Sequence, residues 1–252
     1  MRLACIKERD RETMIDGKRV LGLIPARGGS KGIKNKNITE VNGVPLIGYT
    51  IMEAGKSRYL DDVVVTTDSE RIKSIAEAYG AQVPFLRPGE LAGDRTPTLD
   101  AVLHAVRSLE NMGRSYDIVV LLQATSPLRT SGDIDHAMEL FIEKKGQGVA
   151  AVSEVSDPPV LMRILEEGGH LSKWLDQGST IRRQDMPKTY RINGSIYINP
   201  VSEIKEGLSF NDNPVGYVME RSHSVDVDEE SDLWLAGYYL GKNGVGKNGR
   251  SQ

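Results

Sequence analysis

A regular alternation of short apolar runs with segments of helical periodicity constrains the fold of this chain more than any other feature of its sequence. The apolar runs, which are rich in β-branched residues, are residues 19–24, 63–67, 118–122 and 148–152. Apolar side chains recur three or four positions apart in residues 45–52, 72–79, 99–109 and 134–141. Strands that alternate with helices predict a doubly wound α/β fold, in which helices cover both faces of a mostly parallel sheet and ligands bind at the carboxyl ends of its strands.

The alternation occupies a single predicted domain, residues 19–240, with segments of different character around it. Residues 1–18 are polar and aperiodic, so we expect them to form an N-terminal extension. From about residue 153 to residue 187 the alternation fails, and a double-glycine turn between short apolar segments predicts a two- or three-stranded excursion from the main sheet. Residues 241–252 contain almost no apolar side chains and are expected to be disordered.

Composition argues against several classes of protein. The formal net charge of -3 over 252 residues does not suit a general nucleic-acid binder, which would carry a basic excess. A single cysteine, Cys5, rules out an intrachain disulfide, and no run approaches the roughly 20 apolar residues that span a bilayer. The first residues become charged before an apolar core of signal-peptide length develops. We therefore expect a cytoplasmic protein with no membrane partner.

A cationic glycine loop, GLIPARGGSKGIKNKNI at residues 22–38, contains the end of the first predicted strand. Glycines let backbone N–H groups approach an anion, while Arg27 and the nearby lysines supply positive charge. The pattern is neither the GxGxxG dinucleotide fingerprint nor a Walker loop, since the GK[ST] ending is missing. A phosphate site and a solvated turn with surface lysines are both compatible with this segment alone.

A second polar stretch follows the third predicted strand. VLLQATSPLR, residues 120–129, presents an amide, two hydroxyls and the charge of Arg129 at the edge of the sheet. These groups either bind a ligand or belong to a loop whose hydroxyls cap the next helix.

The third stretch is IRRQDMPKTYRINGSIYI, residues 181–198, which is dense in side chains that bind carboxylates and hydroxyls. Such a cluster suits a polyhydroxylated acidic substrate. The simpler alternative is a charged surface loop that leads into a strand.

The fourth stretch is Asp226-Val-Asp228, near the end of the chain. Alternation along an extended segment would place both carboxylates on one face, where they suit a hard divalent cation such as Mg²⁺. Alternatively, Asp228 caps the final helix and Asp226 pairs with an arginine.

Taken together and in this order, PARGGSKGIKNKNI, LLQATSPLR, RRQDMPKTYRINGSIYI and VDVD resemble the motifs of the acylneuraminate cytidylyltransferase family, the CMP-sialic acid synthetases and their bacterial relatives. The resemblance covers essentially residues 19–240. It implies transfer of CMP from CTP to a nine-carbon 2-keto acid sugar, with release of pyrophosphate and with Mg²⁺ as cofactor. It also implies a Rossmann-like nucleotidyltransferase fold and a homodimer, in which the excursion at about 153–187 helps to complete the partner's site.

The resemblance assigns roles to individual residues. Nucleotide-binding positions of the family match Ala26, Arg27, Gly28, Gly29, Ser30, Lys36, Asn37, Arg87 and Asp94. Sugar-binding positions match Gln123, Arg183, Gln184, Asn193 and Tyr197. The magnesium ligands match Asp226 and Asp228, which together with Arg27 and Lys36 also match the catalytic positions. Ala124 departs from the family pattern, because many relatives have proline there, and this departure concerns the sugar pocket.

Two alternative functions stay open. A sister nucleotidyltransferase would use another sugar or another nucleotide, because the sheet fold alone does not choose the substrate. A non-catalytic sensor would bind CTP without turnover. No residue distinguishes sialic, legionaminic and pseudaminic acids as the acceptor.

Overall fold

The structure is a computed structural model that describes residues 15, 17–30, 32–157, 159–176, 178, 180, 182 and 185–242. Its strands are β1 (Val20–Pro25), β2 (Glu40–Val41), β3 (Val44–Pro45), β4 (Asp62–Thr66), β5 (Ile118–Leu122), β6 (Val149–Glu154), β7 (Arg163–Leu165), β8 (Leu171–Lys173), β9 (Tyr190–Pro200) and β10 (Val215–Val218). Its helices are α1 (Leu46–Lys56), α2 (Glu70–Ala78), α3 (Thr98–Asn111), α4 (Ser131–Glu143) and α5 (Glu230–Lys242). All the strands and helices that the alternation predicts are therefore present.

Six of the strands form the central sheet, in the order β10-β6-β9-β5-β1-β4. β1 runs parallel to both β4 and β5, and β10 runs parallel to β6. β9 is antiparallel to its two neighbours, β5 and β6. The predicted mostly parallel sheet is confirmed, and the carboxyl ends of β1, β4 and β5 meet at one edge.

Helices cover both faces of this sheet, as the doubly wound prediction requires. On one face α1, α2 and α4 pack against apolar side chains of the strands, in the cluster that contains Ile47, Ala76 and Met138. On the other face α3 packs against strand residues such as Leu23 and Leu121. The β5 strand is buried at every position, which explains why its sequence is an unbroken apolar run rather than an alternating one.

The final helix joins the end of the chain to its beginning. Ala236 and Leu240 of α5 lie in a third buried cluster with Val225, Val227 and Ile33 of the glycine loop. Because the two valines flank Asp226, their burial fixes residues 225–228, the aspartate segment, beside the glycine loop.

The excursion between β6 and β9 contains an antiparallel hairpin made of β7 and β8. Its turn includes Gly168 and Gly169, both with φ of +82°, a region that favours glycine. Arg183 and Gln184, near the end of this region, lie outside the described residues, as do most of the predicted N-terminal extension and the tail beyond residue 242. None of the helices in the described ranges combines the length and apolar character that a bilayer crossing requires.

Candidate active site

A cleft of about 390 Å³ lies at the carboxyl ends of β1 and β5, beside the start of α3. Of the predicted site residues, it is lined by Arg27, Gly29, Ser30, Lys36, Asn37, Arg87, Asp94, Gln123 and Asp228. These residues come from five separate parts of the sequence. The sheet edge brings them together, as expected for ligand sites in doubly wound sheets.

The glycine loop is fixed to the end of β4. The N–H of Ala26 donates to the carbonyl of Thr66 at 3.0 Å, and the N–H of Gly28 donates to a carboxylate oxygen of Asp68 at 2.9 Å. A Cβ on Gly28 would lie 3.2 Å from the Cβ of Ser69, so this approach favours glycine. The side chain of Ser69 caps α2, whereas that of Asp68 holds the loop.

Two predicted nucleotide ligands make contacts within the loop itself. Ser30 donates to the carbonyl of Ile33 and accepts from the N–H of Lys36. The amide of Asn37 donates to the carbonyl of Arg27 at 3.0 Å. Both side chains therefore shape the loop that presents Arg27 and Lys36, and Lys31 between them lies outside the described residues.

Two of the cations that line the cleft, Arg27 and Lys36, are paired with acids from distant parts of the chain. Arg27 contacts Asp94 at 2.6 Å, and the ammonium of Lys36 contacts Asp228 at 2.8 Å. Every one of these four side chains lines the cleft. The cleft thus carries two positive and two negative groups that neutralise each other, and an incoming anion competes with Asp94 and Asp228.

Arg87 supplies a third and more buried cation. Its side chain is only 4% exposed, with one terminal nitrogen 3.9 Å from Asp68. Burial is the main cause that lowers its pKa, and the nearby charge of Arg27 adds to the effect while Asp68 opposes it. Its Nε has no hydrogen-bond partner among the described residues. A buried cation with an unused donor is suited to bind an anionic or carbonyl group in the cleft.

The two aspartates near the chain end differ in surroundings. Asp228 is paired with Lys36, and a Cβ on Gly32 would lie 2.6 Å from the Asp228 carbonyl oxygen, so this segment touches the glycine loop. Burial is the main cause that raises the pKa of Asp226, and a hydrogen bond from Thr125 opposes it. One carboxylate oxygen of Asp226 is buried and has no partner within the described part of the chain.

This arrangement fits a hard cation. An unpartnered buried carboxylate oxygen with a second carboxylate two residues away offers the donors that Mg²⁺ prefers. The described residues contain no group of three or more histidine, cysteine, aspartate or glutamate side chains that could hold a metal. The side chain of Asp228 pairs with Lys36, and no hydrogen bond from it to the backbone of α5 is found among the described residues, whereas Asp232 accepts from the backbone N–H groups of Asp228 and Glu229.

A second cavity of about 580 Å³ adjoins the aspartate segment at the carboxyl end of β6. Asp226 lines this cavity, whereas Asp228 lines the first cleft, although the two carboxylates stay close enough for the charge of Asp228 to raise the pKa of Asp226. Arg191 and Arg221 also line it, together with residues 153–157. Arg191 belongs to the third polar stretch but has no role assigned there, and Arg221 lies outside all four stretches.

Two of the predicted sugar ligands are not brought to either cavity. Asn193 donates to Ser224 at 3.2 Å and accepts from the N–H of Ser195 at 3.0 Å. Tyr197 is buried and donates to Asn211 at 2.7 Å. Their sugar-binding role stays a prediction that these internal contacts do not support, whereas Gln123 does line the cleft.

The loop after β5 also differs from expectation at its last residue. Arg129 was expected to add a charge at the sheet edge, but the structure buries it to 1% exposure. Thr130, directly after this stretch, caps α4 and forms a capping box with Asp133, so the hydroxyls of Thr125 and Ser126 within the stretch are not the cap.

Comparison with known proteins gives consistent matches. The family model described as cytidylyltransferase matches residues 21–197. A CMP-N,N'-diacetyllegionaminic acid synthase of Legionella pneumophila is 38% identical over 86% of this chain and 94% of its own length. A pseudaminic acid cytidylyltransferase of Campylobacter jejuni is 33% identical over the same shares of the two chains.

An N-acylneuraminate cytidylyltransferase of Escherichia coli is 36% identical over 86% of this chain and 51% of its own. Among solved structures, a CMP:2-keto-3-deoxy-manno-octonic acid synthetase complexed with CTP superposes with a TM-score of 0.69. It is 15% identical, over 89% of this chain and 99% of that one, and therefore supports the fold alone.

Proposed function

The chain belongs to the cytidylyltransferase family and is a nucleotidyltransferase, and we propose that it transfers CMP from CTP to the anomeric hydroxyl of a nine-carbon 2-keto acid sugar, with release of pyrophosphate. One observation carries the proposal: the cationic glycine loop and Asp228 meet in a single cleft although they are far apart in sequence. The relatives support the acceptor class, since their names contain legionaminic, pseudaminic and acylneuraminic acids.

The chemistry demands positive charge at the phosphates more than it demands a strong base. A sugar hydroxyl must attack an α-phosphorus surrounded by negative oxygens, and negative charge then develops on the departing pyrophosphate. Arg27 and Lys36, with the backbone N–H groups of the loop, would bind the triphosphate and stabilise that charge. Arg87 and Asp94 would contact the base and ribose, and Gln123 would contact the acidic sugar.

We propose Mg²⁺ as the cofactor, held by Asp226 and Asp228. The ion would offset the repulsion between the two anionic reactants and withdraw charge from the phosphate oxygens. The buried, unpartnered oxygen of Asp226 supports this assignment.

Ligand binding would exchange the partners of the cleft residues. In the structure Lys36 neutralises Asp228, so a cation at Asp228 and a triphosphate at Lys36 would each replace one member of the pair. CTP and metal should therefore bind more tightly together than separately, because each removes the competitor of the other.

We also propose a homodimer, in agreement with the family resemblance. Several apolar side chains of the excursion are exposed, with Leu165, Leu171 and Trp174 all more than half accessible. Exposed apolar groups of this number suit a subunit interface. The cytoplasmic location stays a prediction.

The activity test incubates the protein with CTP, Mg²⁺ and, separately, sialic, legionaminic and pseudaminic acids. We expect pyrophosphate and a CMP-sugar, detected by coupled assay and by mass spectrometry, with at least one acid. GTP and UTP in place of CTP would test a sister nucleotidyltransferase. Tight CTP binding without pyrophosphate from any acid would instead indicate a non-catalytic sensor.

Paired variants test the metal site. Asp228→Asn should abolish most turnover and leave the melting temperature close to that of the wild type. Asp212→Asn, an exposed aspartate outside both cavities, is the matched control and should keep full turnover. Equal activity of the two variants would remove Asp228 from the proposed mechanism.

A further inference from the structure

Arg129 is a buried charge that the proposed reaction does not use directly. Its guanidinium lies at the end of the loop after β5, and the residue is 1% exposed. Burial lowers its pKa to about 10. Its Nε and Nη2 have no hydrogen-bond partner among the described residues, so the side chain is only partly satisfied. Such a group is costly to bury and calls for a functional reason.

Its remaining nitrogen connects two neighbouring strands. Nη1 donates to the carbonyl of Ser195 in β9 at 2.7 Å and to the carbonyl of Gln123, directly after β5, at 3.2 Å. It also lies 3.4 Å from the hydroxyl of Ser195. A rigid planar cation can contact both strands in one fixed geometry, which an apolar side chain cannot.

The loop held in this way carries groups of the candidate site. Gln123 and Thr125 line the cleft. The carbonyl of Thr125 accepts from the N–H of Val227 at 2.8 Å, and the side chain of Thr125 opposes the rise in the pKa of Asp226. Thus one short loop connects Arg129 to the cleft wall and to the aspartate segment.

A role in stability alone does not account for these contacts. Replacing a buried charge by an apolar side chain of similar volume is often neutral or stabilising. The guanidinium instead fixes the exact position of the Gln123 carbonyl, which also accepts from Thr50 and from the N–H of Ser126.

The geometry points to Arg129 as a positioning residue that holds the loop at residues 123–126, so that Gln123 faces the acceptor and Thr125 orients Asp226. The inference rests on the proposed function for its kinetic part. Arg129 itself touches neither the cleft nor the second cavity, so its effect would pass through the loop.

The test compares Arg129→Met, Arg129→Lys and a control variant, Asn199→Ala. Asn199 is also buried in β9 and exchanges two hydrogen bonds with Asn213, but it pairs with Val119, near the start of β5 and away from the cleft. Melting temperature, CTP affinity by calorimetry, and kcat and KM for the acid are measured for each.

We expect kcat to fall on the order of 10- to 100-fold in Arg129→Met, because displaced reacting groups lose that much rate. CTP affinity should stay unchanged, since the glycine loop does not contact Arg129. Arg129→Lys should recover part of kcat, because an ammonium can still reach one carbonyl. Asn199→Ala should lower the melting temperature without a comparable loss of kcat.

Amide hydrogen exchange keeps the inference testable without turnover. Peptides that contain residues 121–127 and 225–228 should exchange faster in Arg129→Lys and Arg129→Met than in Asn199→Ala. A wild type inactive with every acid would refute the proposed function, and the exchange result would still decide the role of Arg129. Unchanged exchange in these peptides, or a kcat loss that merely matches Asn199→Ala, would overturn the inference.

Discussion

Replacing Gly32 by alanine should disturb the junction between the glycine loop and the aspartate segment. A Cβ at this position would lie 2.6 Å from the backbone oxygen of Asp228, whereas real Cβ atoms essentially never come within 3.0 Å. The two segments must therefore separate by at least about 0.4 Å, the difference between these distances, and neither side is a flexible side chain. Overpacking of this kind costs about 1–3 kcal/mol. For a chain of this size each kcal/mol lowers the melting temperature by about 2–4 °C.

The same movement shifts Asp228 relative to the glycine loop that would bind the triphosphate, so kcat/KM should fall on the order of 10- to 100-fold, the range for reacting groups displaced by a fraction of an ångström to 1 Å. Thermal melts and pyrophosphate release measure the two effects. Gly55→Ala, exposed in α1 with nothing within 4 Å of a new Cβ, is the control and should keep activity and gain slight stability. If Gly32→Ala melts and turns over like the wild type, the close approach of the two segments does not exist in solution.

Two further predictions concern Asp226 and Tyr49. Burial raises the pKa of Asp226 above 3.8, so its ionised form destabilises the fold and stability is lost as the pH rises through and above that value. In EDTA, Asp226→Asn should therefore have a higher melting temperature than the wild type at neutral pH. This difference in melting temperature should close toward pH 4. A difference that does not change with pH would contradict the burial of this carboxylate. The buried hydroxyl of Tyr49 donates to the Val41 carbonyl at 2.6 Å, so Tyr49→Phe should cost about 1 kcal/mol in thermal or urea unfolding. Because burial raises the pKa of Tyr49 to about 12, this loss should be equal at pH 6 and pH 9, and a pH-dependent loss would refute the assignment.

Much of the fold was predictable, because its strands and helices differ in the period of their apolar residues. β5 is an unbroken apolar run buried on both faces, and α3 places its apolar residues at helical spacing. The position of β9 was not predictable in the same way. It lies in the sheet between β5 and β6, although these two strands follow each other in the alternating pattern of the sequence. No local sequence feature predicts this insertion.

The candidate site, like the fold, was predictable only in part. The sequence shows a glycine-rich turn, the amide of Gln123 after a buried strand, and the carboxylate of Asp228. The structure brings all three to one cleft. Asn193 and Tyr197 carry similar signals but use their polar groups inside the protein. A polar side chain in a strand buried on both faces has the same appearance in sequence whether it binds a ligand or a neighbouring residue. The contacts of Asp68 and Arg129 were not predicted, because each of these side chains bonds to a backbone group, and every residue possesses such groups.

The ion pair between Lys36 and Asp228 also bears on how the protein is made. Its two members are 192 positions apart, so a growing chain completes the glycine loop long before the acid that faces it has been synthesised. Until then Lys36 lacks the acid that neutralises it, and the nascent chain should attract anions such as ribosomal RNA or free nucleotides. Closure of the cleft thus comes late in synthesis, when the aspartate segment docks, and a chain stopped before residue 225 would retain a cationic loop without its acidic counterpart.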